Sequence, residues 1–86
     1  MKIKLEFVTR EVAGDTLLVP VGKTSLDLNG MLTLNELGAK IWALLPDAED
    51  ENAIVQKILL EYDAQEDVVR ADVHEFLQKL RDLGII

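Results

Sequence analysis

The chain has 86 residues, 49% of them apolar, and carries a net charge of −7. That length allows one small domain (residues 1–86), and the apolar content argues against disorder. With no cysteine, disulfides, iron–sulfur clusters, thiolate zinc and thiol nucleophiles are all excluded.

The first third reads as β structure. Ile3, Leu5 and Phe7 alternate with polar residues, and Leu17, Val19 and Val21 recur at the same spacing of two. Gly14-Asp15 between these runs suits a tight hairpin turn. Pro20 cannot donate to a ladder, so pairing should stop before it or its missing N–H should face an unpaired side. Asn29-Gly30 is a second turn signal, followed by a short last strand, Met31-Leu32-Thr33-Leu34.

Three helical stripes follow. Leu34, Leu37, Ile41, Leu44 and Leu45 form the first, with Asn35 as N-cap, Thr33 and Glu36 as a competing capping box, and Pro46 as the stop. Gly38 inside this helix costs about 1 kcal/mol against alanine, which implies close approach of the third helix or of a sheet. Trp42, one turn later, reads as a core residue, with a binding-wall role as the alternative. Ile54, Val55, Ile58, Leu59 and Tyr62 form the second stripe, and Asp47, Glu49, Asp50 and Glu51 crowd its dipole-favoured start. Val69, Val73, Phe76, Leu77, Leu80 and Leu83 form the third. Asp63 and Glu66 are its candidate entry caps and Gly84 its C′ residue. A sheet followed by three helices makes the class α+β.

Charge narrows the partners. Residues 1–45 hold five basic and five acidic residues, whereas residues 46–86 hold four basic against eleven acidic. A nucleic-acid reader needs a basic face, so DNA binding is disfavoured. No stretch approaches the ~20 apolar residues of a membrane span, and the start does not read as a signal peptide. A cytoplasmic location without membrane contact is therefore the default.

Candidates for chemistry are few. His74, the one histidine, shares a helix side with Arg70, Gln78 and Arg81 and reads as solvent-facing. Thr24 and Ser25 lie in a polar loop with no basic partner near in sequence. The acidic run from Asp47 to Glu51 lacks the ligand spacing of a calcium loop. No metal, cofactor or catalytic residue is assigned. The remaining feature is topological: a terminal strand at Met31–Leu34 would leave an edge able to accept an extended peptide.

The segment from Leu32 to Trp42, Leu-Thr-Leu-Asn-Glu-Leu-Gly-Ala-Lys-Ile-Trp, resembles the central motif of the PqqD family. Glu61-Tyr62-Asp63, Asp72-Val73, Phe76-Leu77, Leu80 and the ending Leu83-Gly84-Ile85-Ile86 extend the likeness over nearly the whole chain. The resemblance implies a fold similar to a winged helix-turn-helix, with a three-stranded N-terminal antiparallel sheet followed by three helices. It also implies a stand-alone, non-catalytic recognition element for ribosomally made, post-translationally modified peptides. The precursor's leader would add as a strand beside the third strand, in a groove shared with the third helix. A modifying enzyme, commonly a radical S-adenosylmethionine protein, would then act on the core segment.

Carried onto this chain, the docking strand is Met31, Leu32, Thr33 and Leu34. With Val69, Val73, Phe76 and Leu80 assigned to the core, the groove face of the third helix is expected at Val68, Ala71, Asp72 and Glu75. Glu66 and Asp67 would add to a negative rim that favours a leader with Lys or Arg. The oligomeric expectation is a monomer or a homodimer, with Lys23–Gly30 as a hinge for strand exchange. The alternatives are a structural subunit that stabilises a partner enzyme, or a winged-helix DNA-binding regulator.

Overall fold

The computed structural model describes residues 1–23 and 30–86. Three strands come first: β1 (Phe7–Val12), β2 (Asp15–Pro20) and β3 (Leu32–Leu34). Three helices follow: α1 (Glu36–Leu44), α2 (Glu51–Glu61) and α3 (Glu66–Asp82), with one 3-10 turn, Leu45–Asp47, after α1. The order is that expected of an α+β domain.

The strands pair antiparallel in chain order, β1-β2-β3, so β1 and β3 are the two edges. The β1–β2 hairpin closes on Ala13 and Gly14, whose φ values are 52° and 87°. Both central residues are thus left-handed, as a type I′ turn requires. The turn lies one residue earlier than Gly14-Asp15, and a non-glycine residue carries half of it. Of the second turn signal, Asn29 lies outside the described residues, while Gly30 has a φ of 96°.

The register decides where each backbone group points. Val21 N–H donates to the Glu6 carbonyl, and pairing runs without a bulge from Phe7↔Pro20 to Val12↔Asp15. Alternate residues of an antiparallel strand turn both polar groups to the same side. Asp15, Leu17, Val19 and Val21 therefore face β1, and Thr16, Leu18 and Pro20 face β3. Pro20 ends β2 with its missing N–H turned beyond the start of β3, where no ladder bond is lost.

Residues 1–6 depart from expectation. Met1, Ile3 and Leu5 are half-buried while Lys2, Lys4 and Glu6 are exposed, which is the anticipated alternation. This segment is nevertheless no strand of the sheet. Lys4 N–H donates to the Ile85 carbonyl at 2.7 Å, and the Met1 amine donates to the Leu45 and Ala48 carbonyls. Alternation reports an extended chain with one buried side; a ladder also needs a neighbouring strand.

The core is built mainly by the helices. Ile41, Leu45, Ile54, Val55, Ile58, Val69, Val73, Leu77, Leu80 and Ile85 form one buried cluster, and Phe7 and Leu32 of the sheet pack against it, while Leu18 and Leu34 are buried within the sheet. Asn35 caps α1 by accepting from Gly38 N–H at 2.7 Å, and Asp50 caps α2 by accepting from Ala53 N–H at 2.9 Å. Neither Asp63 nor Glu66 caps α3: Gln65 occupies the N-cap without a side-chain bond, and Glu66 is the first helical residue. At the other end Gly84 has a φ of 76°. Gly84 N–H donates to the Arg81 carbonyl and Ile85 N–H to the Leu80 carbonyl, a Schellman closure. It buries Ile85 completely.

Candidate functional site

The open side of β3 and the facing side of α3 together form a groove. Leu18 pairs with Leu32 and Thr16 with Leu34, so the polar groups of Leu32 and Leu34 point to β2. The Thr33 N–H and carbonyl consequently point to the open edge. Side chains follow the complementary pattern. Leu34 is buried and Leu32 half-buried toward the helices, while Thr33 is exposed on the other face.

The groove runs as three adjoining hollows. The first lies between β3 and the end of α3, lined by Leu32, Thr33, Leu34, Phe76, Lys79 and Leu80. The second, of about 330 Å³, lies between the start of α1 and the middle of α3, lined by Asn35, Leu37, Gly38, Asp72, Glu75 and Lys79. The third is more apolar, with Leu37, Ile58, Tyr62, Val68 and Asp72 on its walls. As the chain climbs from Leu32 to Leu37, the facing residues on α3 descend from Leu80 to Val68.

Two residues set the width. Gly38 is buried, and a Cβ there would meet Phe76 Cε1 at 3.3 Å, Asn35 Oδ1 at 3.2 Å and Leu34 Cβ at 3.5 Å. Both the sheet and α3 therefore come close, which accounts for a glycine inside a helix. Phe76, half-buried, is the wall opposite.

Of the anticipated groove residues, Leu32, Thr33, Leu34, Val68, Asp72 and Glu75 all line it. Met31 does not: β3 begins at Leu32, and Met31 is 60% exposed ahead of it. Ala71 is exposed and outside all three hollows. At about 100° per residue it sits behind Asp72, one step past the groove. Phe76 and Lys79, which the sequence reading left out, belong to it. Phe76 sits at the boundary of the apolar stripe, where the same side chain can serve core and groove together.

The rim is also not uniformly negative. Glu66 turns to the opposite flank of α3, where Arg70 Nε donates to its carboxylate at 3.1 Å and Arg70 also reaches Asn52 of α2 at 2.8 Å. Asp67 lies about 140° around the helix from Asp72. Lys79 instead places a cation at the β3 end.

Other candidates fall away from the groove. Trp42 packs edge-on against Phe7 with centroids 5.6 Å apart and lines none of the hollows. His74 is exposed, with Nδ1 3.2 Å from the Glu51 carboxylate. Thr24, Ser25 and most of the Lys23–Gly30 hinge lie outside the described residues. Among those described, no three acidic or histidine side chains converge as a metal site would need, and no helix is long and apolar enough to cross a membrane.

The family model for coenzyme PQQ synthesis protein D (PqqD) matches residues 17–86. The chain belongs to the PqqD family. Among solved structures it is similar to TbiB1 in complex with the TbiA(beta) leader peptide, with a TM-score of 0.73 and 25% identity. The match covers 99% of this chain and 93% of that one. No curated protein matches it.

Proposed function

We propose that this PqqD-family domain captures the leader segment of a ribosomally made precursor peptide by strand addition to β3 and presents it to a modifying enzyme. The observation that carries this reading is the Thr33 N–H and carbonyl, aimed at an edge that α3 walls from the far side. The similarity to a protein solved with its leader peptide supports the same reading. An extended peptide gains backbone bonds from such an edge and pockets for alternate side chains. In this role the domain is a non-catalytic carrier. The family resemblance supports a partner enzyme of the radical S-adenosylmethionine class.

The test is a titration of isotopically labelled protein with synthetic leaders drawn from a short reading frame beside the gene. Shifts should appear at Leu32–Leu34, Asp72, Glu75, Phe76 and Lys79, with slowed exchange at the Thr33 amide. A leader that instead perturbs the β1 edge, or no described strand at all, overturns the proposal.

A further inference from the structure

The two flanks of α3 treat their charges differently. On the flank facing α2, Arg70 is tied to Glu66 and Asn52, and His74 to Glu51. On the groove flank, Asp72, Glu75 and Lys79 have no side-chain partner among the described residues. Glu75 and Lys79 are four apart, the spacing that lets opposite charges pair along a helix, yet they form no ion pair. These three are the α3 charges that line the groove, with Glu36 of α1 adding a further acid at the third hollow, and they are ordered. Lys79 stands beside Leu32–Leu34, Asp72 and Glu75 beside Asn35–Gly38, and the apolar hollow at Val68 and Tyr62 lies beyond them.

We infer that this order fixes the charge sequence of the bound peptide. The inference rests on the strand-addition reading above. A fourth strand joining an all-antiparallel sheet runs opposite to β3, since purely antiparallel sheets are favoured over mixed ones. Its N-terminal end then lies past Asn35, over Val68 and Tyr62, and its C-terminal end passes Lys79 and Leu32. From N to C terminus the ligand presents an apolar anchor, then Lys or Arg at Asp72 and Glu75, then Asp or Glu at Lys79. The seven helical steps from Asp72 to Lys79 rise about 10 Å, which an extended peptide covers in roughly three residues. The cation therefore precedes the anion by about two to four positions on the peptide.

Selection from a display library of randomised linear peptides tests this without knowing the natural ligand. Wild-type protein should enrich cation-before-anion peptides over the reversed order by about fivefold, as expected for two exposed ion pairs. The triple variant Asp72→Lys, Glu75→Lys, Lys79→Glu should invert the preference. Lys79→Glu alone should lose the preference for the trailing acid. Equal enrichment of both orders, or one unchanged order in all variants, overturns the polarity while leaving strand addition standing. Failure of wild-type protein to enrich any peptide, or enriched peptides that bind Thr33→Pro undiminished, overturns strand addition and the polarity with it.

Discussion

The sheet has two edges, and they are unequal in a way that length alone would misjudge. β1 is six residues long, and beyond Phe7 every one of its residues is exposed. β3 has only three residues. By count of free backbone groups β1 is the better template, with Phe7, Thr9 and Glu11 turning theirs outward. Yet β1 carries Arg10 and Glu11, charges that blunt an edge, and none of the three hollows reaches it. β3 has Phe76, Lys79 and Leu80 across from it. A peptide on β1 would gain backbone bonds and leave its side chains in water, whereas on β3 alternate side chains find pockets. Under the strand-addition proposal, what makes an edge a binding site is the helix beside it.

Four substitutions probe that comparison. The largest effect is expected for Leu18→Ala. Leu18 is 0% exposed in β2, the strand shared by both edges, so its truncation should cost about 2–5 kcal/mol and loosen both together. Urea unfolding checks the stability, and amide exchange at β1 and β3 checks that both loosen.

A matched pair of prolines separates the edges. Thr33→Pro and Thr9→Pro each delete an outward N–H without removing a ladder bond to β2, a placement that edge strands tolerate. Thr33→Pro should weaken leader binding at least about tenfold, the worth of one backbone hydrogen bond before any clash from the ring. Thr9→Pro should leave binding unchanged. Equal behaviour of the two in a binding titration, with circular dichroism confirming the fold, would break the comparison.

The smallest effect concerns the β1–β2 turn. Ala13 holds a φ of 52°, which favours asparagine or glycine. Ala13→Asn should raise stability by about 0.5–1 kcal/mol, seen as a higher denaturation midpoint, with leader binding unaffected.

Local chemistry was readable in the sequence wherever a residue acts on its own neighbours. Asn35 reaches its cap donor three residues on, Gly84 closes α3, and the stripe from Val69 to Leu80 follows from helical period alone. Gly38 announced a close approach through its propensity cost. The legible signals weakened at boundaries. Asp63 and Glu66 were as plausible as Gln65 for the entry to α3, because a helix start depends on backbone angles as well as on capping side chains. Residues 1–6 carried strand-like alternation but lie against Ile85 and Leu45, which are distant in sequence. Phe76 read as core because the apolar stripe marks which side is buried and leaves unmarked where burial ends.

The chain by itself therefore determined the α+β order, the Asn35 cap and the Gly84 closure, the apolar face of α3 and the short strand ahead of Asn35. These depend on periodicities and contacts within a few residues. Only the tertiary structure decided that Thr33 turns its backbone outward, that Lys79 joins Asp72 and Glu75 along one groove, and that Glu66 is spent on Arg70. Those outcomes depend on strand register and on the rotation of α3 against the sheet. Both are set by packing between residues tens of positions apart, such as Gly38 with Phe76.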